Sequence, residues 1–447
     1  MTSVALVVLD TLRKDSYDEF FDWMPGVQFD NAWSPCSWTV PAHGALFTGR
    51  YPSETGVYAQ AEQLDYEGDV LAELLSEAGY TTSAFSANAN ISRPFQFDRG
   101  FDEFETTWKA SRYDDDVVDW GTFISEHGTS GFGRYLYAVK ELFGPDVDTL
   151  RSLRRGLKLK ADDMGISTLT GDDDGAAQLR ETLRNRSFDD EAFFFANLME
   201  AHAPYDPPEE YRTTDVDYSP NIEDTISESG PAADHAGIRQ AYDDSVRYLA
   251  DVYRDVFAEL RDAFDVVVTL SDHGEMFGEY GAWEHTHGIY PQLVHVPLSI
   301  YYDGVEDRRT DLPVSLCDVF TTVLAASGLD IDEYPGQDLL DDPEPRDLLV
   351  ERHGLKAGHK HLLEERGYDE AVIDRYDTEL WGSAQPVDYY GWETLDGFES
   401  VGRAERDDPR ARLDDLRSGL ERAAVVTGGE VDVPDHVADR LEELGYR

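Results

Sequence analysis

Cysteine is nearly absent from this 447-residue chain, with only Cys36 and Cys317, too few for a disulfide framework or a cysteine-based zinc site. Lysine is almost as scarce. Seven of the 38 basic residues are Lys and the other 31 are Arg, against 92 Asp plus Glu, which leaves a formal net charge of −54. That balance excludes an ordinary nucleic-acid binder. Long apolar runs are missing as well. No stretch approaches the roughly 20 residues of a spanning helix, and the N-terminal run Val4 to Leu9 is far too short for a signal-peptide core. A cytoplasmic protein with no transmembrane segment is therefore expected.

What is present is enough to fold. Hydrophobic residues make up 41% and aromatics 12% of the chain, too much for a disordered acidic polymer and sufficient for a substantial core. The carboxylates are distributed throughout the chain rather than gathered in a tail. At molar salt, where the Debye length falls to about 3 Å, repulsion among them is largely screened. The composition thus points to a halophilic host.

Short apolar runs alternate with helical patterns, the signature of an α/β fold with a central, mostly parallel sheet flanked by helices. Ser3 to Leu9 (SVALVVL), Phe193 to Leu198 (FFFANL) and Asp265 to Leu270 (DVVVTL) lack alternation, as strands covered on both faces do. Each runs straight into polar residues: Asp10 after the first, Glu200 and His202 after the second, Asp272 and His273 after the third. Open α/β sheets bind ligands outside the carboxyl ends of their strands, so the three clusters could meet in one crevice.

Helices are expected over Asp69–Ala78, Ile238–Phe264 and Leu312–Ser327, the first and last closed by Gly79 and Gly328. Residues 105–190 read as a variable insertion or lid. They hold the acidic run Asp114–Asp116 and a basic stretch, Arg134–Lys160, with seven basic and three acidic side chains. The expected division is a catalytic domain over residues 1–345 and a smaller C-terminal subdomain over 346–447, with a strand at Leu348–Glu351 and a final amphipathic helix. No internal repeat is evident.

Two local patterns carry chemistry. In SWTVPAHGALFTGR, Ser37 to Arg50, Pro41 stands where a first helical turn begins and Gly49 where the helix ends, which puts Thr39 near the N-cap. Its hydroxyl would then lie beside unpaired N–H groups at the positive end of the helix dipole, a good place for an anionic ester. The plain alternative is a simple cap. In LSDHGE, Asp272 and His273 directly follow a buried strand, and with Asp10 they could supply two carboxylates and an imidazole to one divalent cation. Such an ion would make a nucleophile of a nearby Thr39 hydroxyl.

The segments VVLDTLRKD, TVPAHGALFTGRYP, HAPYDPP, LSDHGEMFGEYG, HGIYPQLVHVPLSI and CDVFTTVLAASG occur in this order, and the chain resembles the sulfatase family of the alkaline phosphatase superfamily. The resemblance covers roughly residues 3 to 350 and is similar to the haloarchaeal type. It implies a metal-dependent hydrolase or transferase acting on sulfate or phosphate esters, on an alkaline phosphatase-like fold. Matched position by position, Asp10, Asp272 and His273 fall on metal ligands, and Thr39 falls on the nucleophile, itself a ligand of the ion. His202 falls on the residue contacting the transferred group and His287 on the group serving the leaving oxygen. His43 stands at the usual arginine, and Asn88 or Asn90 at an anion-binding position, making His43 and Asn88 the candidate substrate contacts.

Two departures shift the expected chemistry. Thr39 cannot be oxidised to the formylglycine of a true sulfatase, and Thr11 replaces a second metal aspartate. Both favour a phosphoester reaction through Thr39. A sulfuric ester hydrolase in the family sense is the alternative, and a non-catalytic anion-binding protein retaining the fold is a third. The cofactor that the resemblance implies is a divalent ion (Mn, Mg, Zn or Ca). The expected partner is a small-molecule, glycan or lipid-linked sulfate or phosphate ester.

Other histidines, His285, His295, His353 and His359, read as surface or loop residues, and Trp33, Trp38 and Trp283 as packing. The basic stretch supplies one further expectation. Arg151, Arg154, Arg155, Lys158 and Lys160, beside Leu150, Leu153 and Leu157, would hold a polyanionic or membrane-surface substrate near the site, unless the charge is mere compositional drift.

Overall fold

A computed structural model describes residues 2–59, 63–107, 149, 175–227, 229–331, 334–386, 388–404 and 408–423. Strands are numbered along the chain. At the middle of an eight-stranded sheet lies β1 (Val4–Leu9), between β7 (Val266–Leu270) and β6 (Ala192–Leu198) and parallel to both. Beyond β6 come β4 (Thr81–Ser86) and β5 (Glu103–Thr106), also parallel. On the other side β9 (Leu298–Tyr302) pairs antiparallel with β7 and with β2 (Val27–Phe29), and β10 (Arg308–Thr310) runs parallel to β2 at the edge. The sheet is mixed and mostly parallel.

The three unalternating runs are central strands because each is buried on both faces. Val4, Leu6 and Val8 of β1, with Phe193, Phe195, Val266 and Val268, belong to one core with the helices Thr39–Thr48, Leu71–Glu77 and Leu316–Ala326. Ala5, Val7 and Leu9, with Phe194, Ala196 and Val267, belong to a second core under the helices Ala176–Asn185 and His235–Ala263. The two-residue period of a strand divides these side chains between the layers.

The helix expected from Leu312 begins only at Leu316. Val314–Ser315 form β11, which pairs with β3 (Ala32–Trp33), itself paired with β8 (His295–Val296). Ser315 then caps the helix, its Oγ accepting from the Cys317 N–H while its own N–H donates to Asp318. Both cysteines are buried and free.

A C-terminal antiparallel sheet joins β12 (Leu348–His353), β13 (Glu379–Gln385), β14 (Asp388–Thr394) and β15 (Gly397–Arg403). It is docked tightly against the larger sheet's loops. Leu348, Val350, Tyr390 and Trp392 share a core with Met276, Ile289, Leu293 and Val294, and the Arg352 guanidinium donates to the Thr286 carbonyl at 2.7 Å. Most of the 105–190 segment, including Arg134–Lys160 and the acidic run, lies outside the described residues, as does the expected final helix. No helix among the described residues is long and apolar enough to cross a membrane.

Candidate functional site

Strand order brings the three polar clusters together. Asp10, His202 and Asp272 follow β1, β6 and β7, which are neighbours, and the Asp10 N–H donates to the last carbonyl of β6, Leu198, at 2.9 Å. The loop after β7 can pass close against the Gln292 backbone because residue 274 is glycine. A Cβ there would meet the Gln292 carbonyl oxygen at 2.0 Å.

Asp10, Asp272 and His273 are fully buried, and one ligand atom from each lies within 4.8 Å of the others. The His273 Nδ1–H donates to the Gly274 carbonyl at 2.9 Å, and burial lowers the ring's pKa to about 4. The neutral ring therefore presents its Nε2 lone pair to Asp272 Oδ2 at 3.4 Å and Asp10 Oδ1 at 3.9 Å. Among the described residues Asp272 Oδ2 has no hydrogen-bond partner, and burial together with Asp10 pushes its carboxyl well above the usual range. Two carboxylates facing an imidazole lone pair repel one another. A divalent cation among them would remove that conflict, and this donor set of oxygens and nitrogen suits one.

Thr39 completes the group. Its helix, Thr39–Thr48, begins one residue earlier than a Thr39 cap would require, because Trp38 is the extended N-cap and makes no side-chain capping bond. The Thr39 hydroxyl is 3.2 Å from His273 Nε2, to which it donates, since that nitrogen carries no proton in the tautomer set by Gly274. The hydroxyl is thus turned to the acidic cluster instead of capping its own helix. The helix closes as expected, at left-handed Gly49 (φ 66°).

A buried polar relay fixes Thr39 relative to Asp10. The His43 Nδ1–H donates to the Thr39 carbonyl at 2.9 Å, and Asn197 Nδ2 donates to His43 Nε2 at 2.9 Å and to Asp10 Oδ2 at 3.3 Å. Asn88 Nδ2 donates to the same Asp10 oxygen at 2.8 Å. Asn88 holds a carboxylate here, while Asn90 binds Asn88 through its N–H. His43 is enclosed by Phe47, Phe97 and Phe195, and burial lowers its pKa to about 4. Thr11 adds strain. This β-branched residue is left-handed (φ 57°), with its N–H 3.3 Å from Asp272 Oδ1.

Sequence reasoning misses Asn197, although a lone amide near the end of the apolar run FFFANL is an available signal. The histidines need more correction. His285, His353 and His359, expected as surface or loop residues, are all buried, although His285 does lie in a loop. The His285 ring lies 4.6 Å from His273 and 5.2 Å from His202, with Nδ1 3.1 Å from Glu275 Oε1. His353 stacks on Tyr58 and contacts Glu351, and His295, half-buried, stacks on Trp33.

His202 donates from Nδ1 to the Ala203 carbonyl at 2.6 Å, and burial lowers its pKa. His287 sits differently. Its ring packs on Tyr376 at 4.8 Å, its Nδ1 has no hydrogen-bond partner among the described residues, and burial with Arg352 and Arg375 holds its pKa well below the usual value. The trio, Thr39, His43, Asn88, His202 and His285 thus form one connected neighbourhood, while the described contacts of His287 face the C-terminal subdomain.

The sulfatase family model matches residues 13–329. An uncharacterised sulfatase, YidJ of Escherichia coli, is 23% identical over 357 residues, covering 75% of this chain and 67% of that protein. Among solved structures, the phosphonate monoester hydrolase of Agrobacterium radiobacter superposes with a TM-score of 0.58 at 17% identity, covering 99% of this chain and 95% of that one. A putative sulfatase from Bacteroides thetaiotaomicron gives 0.58 at 16% identity, with 95% of both chains covered. These two likenesses concern the fold. The family match spans more than half of the sequence: the chain is an enzyme of the sulfatase family, built on the alkaline phosphatase-like fold.

Proposed function

We propose that this enzyme hydrolyses or transfers a phosphate or sulfate ester by in-line attack of the Thr39 hydroxyl, with phosphoesters preferred. The observation that carries the reading is the approach of Thr39 Oγ1 to His273 Nε2 at 3.2 Å, beside the two buried carboxylates of Asp10 and Asp272. A divalent ion held by Asp10, Asp272 and His273, with Thr39 at its edge, would supply Lewis acidity and neutralise the carboxylates.

The residues of the chain do the rest. His43 and Asn197 fix the Thr39 carbonyl against Asp10, so the nucleophile keeps its place while Asn88 holds the other side of that carboxylate. The Thr39 hydroxyl gives up its proton to solvent, its oxygen attacks, the bond to the leaving oxygen breaks, and the transferred group rests on Thr39 until water or an acceptor alcohol takes it. His202 contacts the oxygens of that group, and His287, neutral in the free enzyme because burial lowers its pKa, takes a proton from solvent as the anionic ester enters and passes it to the leaving oxygen. A hydroxyl, not an aldehyde, stands at the nucleophile position, which is why phosphoryl transfer is preferred over the sulfatase reaction.

Paired sulfate and phosphate mono- and diesters, offered to purified protein in high salt with Mn, Mg or Zn, test the reading. Phosphoester turnover that disappears in Thr39→Ala is expected. Turnover of aryl sulfates alone, or full activity in Thr39→Ala, overturns it.

A further inference from the structure

The inward face of β12 holds an arginine where its pattern calls for an apolar residue. Leu348, Val350 and Arg352 alternate onto one side of the strand, and the first two lie in the core shared with Met276, Ile289, Leu293 and Val294. Arg352 is buried with them, 2% of its surface exposed, yet among the described residues no carboxylate forms an ion pair with it. Neighbouring carboxylates are committed elsewhere: Glu351 binds His353 and the Ser53 N–H, and Asp377 binds Lys360 and the Leu355 N–H. Burial lowers the pKa of Arg352 to about 10, so the guanidinium is still charged at neutral pH. A buried charge without a counter-ion is costly unless its N–H groups find acceptors.

Its acceptors are main-chain carbonyls: Thr286 at 2.7 Å, and Tyr376 and Thr378 at 3.4 Å each. Thr286 stands between His285, whose ring lies 4.6 Å from His273, and His287, whose ring packs on Tyr376 at 4.8 Å. One guanidinium therefore ties the backbone beside His287 to the backbone of the residue on which His287 packs. This loop has little else to hold it. Among the described residues, 285–289 make no backbone–backbone hydrogen bond, and Glu284 before them (φ 54°) and Gly288 within them (φ 87°) are left-handed. A second tie comes from the same sheet, where the Tyr390 hydroxyl donates to the Ile289 carbonyl at 2.7 Å.

We infer that Arg352 is a positioning residue of the reaction: by clamping the Thr286 carbonyl it holds the His285–His287 loop and sets the place from which His287 passes its proton to the leaving oxygen. The C-terminal subdomain thereby takes part in departure of the leaving group without touching it. This deepens the proposed function and rests on it for the role of His287. A solely structural Arg352, joining two parts of the fold, would change stability and slow every substrate alike.

Leaving-group dependence separates the two roles. Phenyl phosphate releases a phenol with a pKa of about 10 and needs a proton donor, whereas 4-nitrophenyl phosphate releases a far more acidic phenol and needs little help. In full-length, Mn-loaded protein, Arg352→Met is expected to lower kcat for phenyl phosphate about tenfold or more, a part of what a general acid contributes, and to lower it for the nitrophenyl ester less than about threefold. KM and manganese content should stay near those of the parent. If Arg352→Met does not fold, Arg352→Lys, which keeps the charge but loses the guanidinium fork, carries the same contrast in smaller measure. Equal slowing of both esters, or of neither, overturns the inference. So does a double variant with His287→Asn in which the two losses add in full, since residues acting through one another do not add. His287→Asn alone distinguishes the two claims. If it shows the leaving-group contrast and Arg352→Met does not, His287 keeps its role and Arg352 is structural; if it shows none, the proton-donor assignment fails and the inference about Arg352 falls with it.

Discussion

Replacing Asp272 by Asn should reverse the order of stability between metal-free and metal-loaded protein. The ligand atoms of Asp10, Asp272 and His273 lie within 4.8 Å of one another, so two ionised carboxylates at that separation repel by about 3.5 kcal/mol or more at an effective dielectric constant of about 20. Asn keeps an oxygen for the Thr11 and His273 N–H groups that now donate to Asp272 Oδ1 at 3.3 and 2.9 Å. It removes the charge whose Oδ2 has no hydrogen-bond partner among the described residues. Without metal, wild-type protein relieves the repulsion only by holding a proton, since burial and Asp10 raise this carboxyl well above its usual range. The gain from Asn therefore grows as pH rises. With metal present the sign changes. An ion at a hundred times its dissociation constant stabilises the wild type by about 2.7 kcal/mol, and the variant loses that ligand. Thermal melts in molar salt, with chelator and then with manganese, read both states alongside metal analysis. If Asp272→Asn melts below wild type in both conditions and binds the same amount of metal, Asp272 is a hydrogen-bonding residue and the cation site is wrong.

Three further outcomes follow from the same geometry. Asn197→Ala should lower metal affinity by about tenfold, because it frees Asp10 Oδ2 and the His43 ring together; unchanged affinity in a metal titration would sink the relay. In the metal-free protein, stability should fall as pH drops from about 6.5 to about 4. His43 and His273 have folded pKa values of about 4, so the unfolded chain binds more protons in that window, at a cost of roughly 3 kcal/mol per ring. Urea titrations across that range check it, and a flat profile counts against two buried neutral rings. With a net charge of −54, unfolding midpoints should rise with KCl as repulsion is screened; midpoints independent of salt would remove the halophilic reading.

The sheet is legible in the sequence because SVALVVL, FFFANL and DVVVTL have no polar face, which only central strands sandwiched by helices tolerate. Their polar successors, Asp10, His202 and Asp272, then have to gather wherever the strands are neighbours. What escapes the sequence are contacts across long separations. His285 looks like a loop residue, yet the turn after β7 folds it against His273. Lys356 carries no local motif and reaches Trp38 only through docking of the C-terminal sheet. His353 is misplaced for the same reason, since its burial depends on Tyr58 and Trp381 packing on it. Thr39 is one position from its expected place in the helix because Trp38, a residue with no capping side chain, occupies the cap.

The central claim is that Thr39 carries the transferred group, and covalent trapping tests it most directly. Metal-loaded protein is mixed with an activated phosphate ester, quenched in acid within a turnover and digested, and the peptide containing Thr39 is weighed and sequenced by mass spectrometry. One added phosphoryl group on Thr39, absent from Thr39→Ala and removed when the reaction runs to completion, is the predicted result. Steady turnover with Thr39 never modified, and with Thr39→Ala equally active, would contradict the account.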